Sequence, residues 1–197
     1  MAHLADKGYD VHTLILSYGE LSHPHLDKSY VQDLRERESE AANTIVNGST
    51  VEFLDLPEGA FLEHKHLARK HVKQQLEQHT PDIVFTHSPD DFHVDHTATH
   101  TIVTNTYDDI KTVETDIYVF DVWNLWNVDK RDWPRLYVDI DSHMQQKIKA
   151  LHEFTSQINI FTHTFLVNLL YIKQYIDAFT NGLFTDSYLA EIFYKIR

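Results

Sequence analysis

The sequence of 197 residues contains no cysteine. That excludes disulfides and thiolate metal sites, leaving His, Asp and Glu to ligate any metal, and it fits a reducing compartment. Long apolar runs are missing as well. The greasiest stretch, Phe165 to Ile172, is broken by Asn168 and closed by Lys173, far short of the roughly 20 residues that span a bilayer. The first residues, Met1-Ala2-His3-Leu4-Ala5-Asp6-Lys7-Gly8, have neither the basic start nor the apolar run of a signal peptide. A soluble, cytoplasmic protein is expected. Basic residues are few, 17 against 30 acidic, so the formal charge is −13 with histidine neutral. This points away from nucleic acid, because a phosphate binder needs a basic face and any such patch would sit in an acidic field. Repeats and low-complexity linkers are absent. What is present, 42% apolar and 12% aromatic residues, suffices for a core, and the length suits one domain of about 100–200 residues.

Short β-type runs alternate with longer helical ones, the pattern of an α/β sheet with crossover helices. Val11 to Leu16 reads as the first strand and Val51 to Leu56, closed by Pro57, as the second. Between them, Ser29 and Gln32 have capping-box spacing, and Val31, Leu34, Glu38, Ala41, Ala42 and Ile45 fall at helical intervals before Asn47-Gly48. Leu67, Val72 and Leu76 mark a helix that Thr80-Pro81 ends, since the residue before proline is pushed out of the α region. Ile83 to Thr86 is a short apolar strand of the kind buried in a parallel sheet. A helix from about Asp95 to Tyr107 and a strand at Ile117 to Phe120 follow. Asp121 to Tyr137, with Trp123, Trp126, Trp133 and Pro134, reads as a long irregular segment. Val138 to Ile140 then leads into a helix through Met144, Ile148, Leu151 and Phe154, capped by Asp141 or Ser142. A last helix through Leu166, Leu170 and Phe179 stops at Asn181-Gly182, and Tyr188 to Ile196 is the final strand.

Fifteen histidines make a histidine count uninformative by itself. The informative block is Ser88-Pro89-Asp90-Asp91-Phe92-His93-Val94-Asp95-His96, with His100 one turn on. It follows the carboxyl end of the Ile83 strand, where open α/β sheets place their ligands. His93, Asp95 and His96 suit a divalent metal and a water nucleophile: neutral imidazole binds zinc, and a carboxylate beside another imidazole can hold its tautomer. The alternatives are a capped helix start in a histidine-rich chain, or a ligand pair at His96 and His100 without the glutamate of a His-Glu-x-x-His helix.

The stretch from Pro81 to His96 resembles the second signature of the PIG-L/LmbE family of zinc-dependent N-deacetylases, which reads approximately PD-hydrophobic-THSPxDxHPDH. Further features keep the family's order: Tyr18-Gly19-Glu20, Arg35 and Glu38 before Ala41-Ala42, Phe53 to Gly59, and Ala190-Glu191-Ile192-Phe193. The resemblance implies a Rossmann-like, mostly parallel sheet with helices on both faces. It also implies that His96 is a zinc ligand, that His93 polarises the substrate carbonyl, that Asp95 orients and charges His93, and that Arg35 contacts substrate, with Arg37 competing for that role and a solvated charged face as the bland alternative for both. The implied reaction is hydrolysis of an acetamido group on an N-acetylglucosaminyl compound, a small-molecule amino sugar conjugate, with Zn2+ or another divalent ion as cofactor. A homo-oligomer is left open.

The family's first signature, His-Pro-Asp-Asp-Glu, supplies two more zinc ligands and the general base, and no such block occurs here. By alignment it would lie ahead of Met1, so the sheet's first strand is expected to be missing and an intact protein to begin about 20–30 residues earlier. With a single ligand, the chain alone is expected to be inactive. His23-Pro24-His25 with Asp27 offers a similar trio, but after the wrong strand; a polar surface loop is the simpler reading. Val94 stands where the family has proline, losing a preset φ but no chemical group. The competing class is a degenerate, non-catalytic module that binds a carbohydrate or partner through Trp123, Trp126 and Trp133, residues that otherwise pack a loop against the core.

Overall fold

A computed structural model describes residues 1–110, 114–122, 133–157, 160–180 and 187–197. The elements run α1 (Ala2–Asp6), β1 (His12–Ile15), α2 (Lys28–Ile45), β2 (Thr50–Phe53), α3 (Lys65–His79), β3 (Ile83–His87), α4 (Val94–Ile110), β4 (Asp116–Phe120), β5 (Arg135–Asp139), α5 (Met144–His152), α6 (Ile160–Thr180) and β6 (Ala190–Lys195). They fall into two compact units, Met1–Phe53 with Val138–Glu191, and Leu54–Tyr137 with Ile192–Arg197.

In the first unit, Gly8 at φ 86° lets the chain turn out of α1 while its N–H and that of Tyr9 satisfy the carbonyls of Ala5 and Leu4. The chain then enters β1, which pairs in parallel with β2 from His12 opposite Thr50 to Ile15 opposite Phe53. The crossover α2 begins two residues before the expected capping box. Asp27 is its N-cap, accepting the Ser29 N–H at 2.9 Å, because a carboxylate two residues ahead of that donor reaches it without the reciprocal partner a box needs. The buried face of α2 is Val31, Arg35, Glu38, Ser39 and Ala42, an i, i+4, i+7, i+8, i+11 stripe that is partly charged. Ile140, Met144 and Ile148 form the apolar centre with Val138, Val167, Leu170, Tyr171 and Leu189 packed on it; each such buried side chain contributes roughly 1.5–3 kcal/mol. Neither Asp141 nor Ser142 caps α5. Its N-cap is His143 without a side-chain bond, because the Asp141 carboxylate instead receives the N–H groups of Tyr188 and Leu189 at 2.9 and 2.7 Å.

In the second unit, α3 buries Ala68, Val72 and Leu76, with Leu67 turned to solvent. Thr80 ends it in the left-handed region, φ 41°, directly before Pro81. β3 and β4 pair in parallel from Ile83 opposite Asp116 to His87 opposite Phe120, with α4 as their crossover. The sheet order is β3-β4-β6-β5, and β6 runs antiparallel to β4. Ile117 and Val119 are fully buried. β5 and β6 each begin in one unit and end in the other. The architecture is the α/β class expected, with parallel pairs joined through helices. β5 starts at Arg135, inside the stretch read as irregular, because Leu136 and Val138 supply strand-type residues on either side of Tyr137. Trp123, Trp126 and the Asn181-Gly182 stop lie outside the described residues. Among the described residues, no helix is long and apolar enough to cross a membrane.

Candidate metal and hydrolase site

The site is built where β3 gives way to α4. Past His87, Ser88 continues the ladder by donating its N–H to the Phe120 carbonyl at 3.0 Å, and it is fully buried. Anchored there, the chain turns so that Asp91 Oδ1 accepts the His93 N–H at 3.0 Å. His93 then starts α4: its carbonyl accepts the N–H groups of His96 and Thr97, and its ring Nδ1 accepts the Asp95 N–H at 3.2 Å. The imidazole is thus a helix cap. With Nδ1 as acceptor, the proton of the neutral ring sits on Nε2, which is left as a donor. Val94 occupies the first helical position, where proline's missing N–H would not matter, so the exchange leaves the helix start intact.

Asp95 does not reach His93 through its carboxylate. That group is 4% exposed and its Oδ2 accepts the Gly59 N–H at 2.6 Å, tying the loop after β2 to α4. The orientation of His93 comes from the backbone of Asp95, because main-chain N–H groups of a first helical turn point back at the cap residue.

His96 stands among ionisable neighbours. Its ring stacks on His87, centroids 4.0 Å apart and planes 9° apart, and lies 4.7 Å from the His93 ring. His96 Nδ1 is 3.0 Å from Asp91 Oδ1, close but without the alignment of an N–H···O bond, so Nδ1 of His96 and Nδ1 of His87 are both buried with no hydrogen-bond partner among the described residues. Burial, and then the neighbouring His96, push the His87 pKa down to about 4. Burial raises the Asp91 pKa, but the His93 N–H and the His96 ring outweigh it and hold the carboxyl below its usual range. A neutral imidazole and an ionised carboxylate are the forms that bind a cation. One donor atom from each of His87, Asp91 and His96 lies within 4.8 Å of the others. Of these three residues the sequence reading singled out His96 alone as a metal ligand; His87 ends β3 and Asp91 lies in the turn behind it.

Between about pH 6.5 and 4 the unfolded chain carries a proton at His87 and the folded chain does not. Stability of the metal-free protein should therefore fall as pH drops through that window, by on the order of 3 kcal/mol for this ring. Urea unfolding at pH 4 and 7 with chelator present checks this; His87→Gln should flatten the slope, and an unchanged slope would contradict the assignment.

Arg35 is placed in the first unit and is 3% exposed. Its Nη1 donates to Glu38 Oε2 at 3.3 Å and to Ser156 Oγ, and its Nη2 to Ser22 Oγ at 3.0 Å. Glu38 in turn accepts the Ser156 N–H at 2.7 Å and the Thr155 hydroxyl at 3.0 Å. The Arg35 guanidinium, expected to contact substrate, is buried and holds α2 to the 155–156 turn. Arg37 is exposed, its Nε donating to the Asp33 carbonyl at 3.1 Å.

Residues 1–107, just over half of the chain, match the family model for PIG-L, GlcNAc-PI de-N-acetylase. The chain belongs to the PIG-L family. A search of curated protein sequences returns no match. Solved structures share the PIG-L fold across nearly the whole chain. GalB, the 4-carboxy-2-hydroxymuconate hydratase from Pseudomonas putida, superposes with a TM-score of 0.81 at 19% identity, covering 100% of this chain and 88% of its own. The N,N'-diacetylchitobiose deacetylase from Pyrococcus horikoshii gives 0.75 at 17%, covering 99% and 76%. The zinc-inhibited form of the teicoplanin deacetylase Orf2 gives 0.76 at 14%, covering 98% and 90%. In this PIG-L protein the family's His-x-Asp-His block is the start of α4.

Proposed function

We propose that this PIG-L protein is a divalent-metal-dependent N-deacetylase that releases acetate from an N-acetylglucosaminyl-type compound. The observation that carries the reading is the placement of His93 and His96 at the start of α4, side by side at the carboxyl end of β3, in a chain that matches the family over residues 1–107. His96 would be a ligand of the metal, and Asp91, ionised beside it, adds negative charge that favours a cation there. A bound zinc supplies Lewis acidity and a water acidic enough to act as nucleophile near neutral pH.

The chain's own contribution is clearest at His93. Its Nδ1 is held by the Asp95 N–H, which aims the Nε2–H outward as a donor to the acetyl oxygen. That hydrogen bond strengthens as the carbonyl becomes a tetrahedral oxyanion, so it favours the transition state over the bound amide. The amino end of the 17-residue α4 adds a positive dipole field at the same place. Asp95 acts beneath this arrangement by pinning Gly59. The role belongs to the loop it holds, with the backbone N–H serving the ring.

The test is acetate release from a panel of N-acetylglucosaminides after zinc titration of the chelator-treated protein, alone and with a His-Pro-Asp-Asp-Glu segment supplied ahead of residue 1. Zinc-dependent acetate from the extended protein is the expected result, and a zinc-loaded extended protein inert across the panel overturns the reading. GalB shows a hydratase on this fold, so the panel includes an unsaturated hydroxy-tricarboxylate; hydration of it without acetate release would replace the deacetylase assignment.

A further inference from the structure

We infer that Phe92 and Val94, with Leu62 on the adjoining loop, are an apolar subsite that receives a neutral alkyl or aryl aglycone of the sugar. The inference rests on the proposed deacetylase reading and deepens it, because that reading leaves open what the N-acetylglucosaminyl group is attached to. Phe92 is 83% exposed and Val94 65% exposed, one on each side of the solvent-facing His93. Consecutive Cα atoms lie about 3.8 Å apart, so a ligand that meets the His93 ring and extends beyond its acetyl group passes over one or both neighbours. Leu62, 54% exposed, belongs to the loop that the Gly59 N–H fastens to the Asp95 carboxylate at 2.6 Å. All three residues lie in the second unit.

A single exposed apolar residue is ordinary, but apolar side chains gathered around one polar group are a patch that a ligand can cover. Their places are fixed. Phe92 stands at the corner of a turn held by the Asp91 Oδ1 bond to the His93 N–H and by the Asp91 N–H donating to the carbonyl of the fully buried Ser88. Val94 is the first residue of α4. Groups held in this way lose little further freedom when a ligand binds. The neighbourhood also selects a neutral aglycone. Between Lys73 and Lys111 the chain has no lysine or arginine, while Asp90, Asp91 and Asp95 stand in the same block as Phe92. An anionic group laid over the turn would meet carboxylates with no lysine or arginine of that segment to offset them. An apolar group gains instead, by about fourfold in affinity for each methylene fully buried.

Isothermal titration calorimetry of the full chain, in the presence of Zn2+, with methyl, butyl and octyl N-acetylglucosaminides below their micelle concentrations tests the subsite. The readout is the affinity ratio of octyl to methyl. A ratio of at least about tenfold is expected, falling to within about threefold of unity in Phe92→Ser and recovering in Phe92→Leu. An octyl-length chain that ends in a carboxylate should lose most of the gain. Tyr188→Ser, at a ring 71% exposed in the first unit, should keep the wild-type ratio. A ratio near one, no measurable binding of any glycoside, the same loss in Tyr188→Ser, or a carboxylate-ended chain bound as tightly as the octyl one would each overturn the subsite. So would Phe92-dependent adsorption to neutral phosphatidylcholine vesicles without binding of the dissolved octyl glycoside, which makes the ring a surface anchor. Two results separate the subsite from the reaction it serves. Acetate release by the extended protein with no octyl preference in binding removes the subsite and keeps the deacetylase. A Phe92-dependent octyl preference without acetate release keeps the subsite and removes the deacetylase.

Discussion

His93→Ala is expected to lower kcat for acetate release by about 10²–10³-fold, the usual cost of removing one oxyanion donor. Metal stoichiometry should be unaffected, because His93 lies outside the His87, Asp91 and His96 set. Its ring is the cap of α4, so the same substitution should also cost about 1 kcal/mol of stability. His93→Asn separates the two roles. An asparagine can cap the helix through its side-chain oxygen, but is too short to present a donor where Nε2–H stands. It should restore stability while kcat stays low. Steady-state kinetics on the zinc-loaded protein, with KM and kcat resolved, make the comparison. A drop in kcat of less than about tenfold would remove His93 from the chemistry and leave it a cap only.

Glu38→Ala is expected to destabilise the fold by about 3–5 kcal/mol, a large share of a domain's typical stability of about 5–15 kcal/mol. The reason lies in what remains behind. Arg35 is 3% exposed and Glu38 5% exposed, so deleting the carboxylate strands a guanidinium away from water, and Ser156 and Thr155 lose their acceptor. Removing both charges should hurt less: Arg35→Met with Glu38→Leu replaces an ion pair by apolar packing, which is often neutral. Urea denaturation of the two single variants and the double one gives the coupling directly. A single-variant loss below about 1 kcal/mol would show that the pair is hydrated rather than sealed. Activity of the folded Arg35→Met, Glu38→Leu protein provides a further check, since a substrate-contacting arginine would abolish turnover while a structural clamp would not.

Much of the fold was readable because hydrophobic periodicity and turn chemistry agreed. Ile83, Val84 and Phe85 form an apolar run between a proline and a polar turn, and the Thr80-Pro81 stop is a steric consequence of proline. The α2 face was read less well. Arg35 and Glu38 fall on its buried stripe, and a helical wheel treats charges as solvent-facing, so a buried ion pair satisfied by Ser22, Thr155 and Ser156 is invisible until residues over a hundred positions apart are brought together. The site shows the same division. His93 and His96 sit in a contiguous block and could be singled out from it. The bond from Asp95 to Gly59 spans two elements, and no local spacing encodes it. His87 was passed over because it ends a strand, where its ring turns towards α4 and meets His96.

The crossing of β5 and β6 between the two units bears on how the protein is made. The first unit closes only when residues 138–191 have joined 1–53, and the second only when 192–197 have joined 54–137. Residues up to about 191 must therefore be made before the first unit can assemble, and up to 197 before the second, so neither unit can close while only its amino-terminal segment has been made. Nascent β1, α2 and β2 emerge long before α5, which packs on α2, and depend on long-range closure, which is slow. That interval of exposure, rather than any weakness of the finished molecule, is where chaperone assistance during synthesis would matter most.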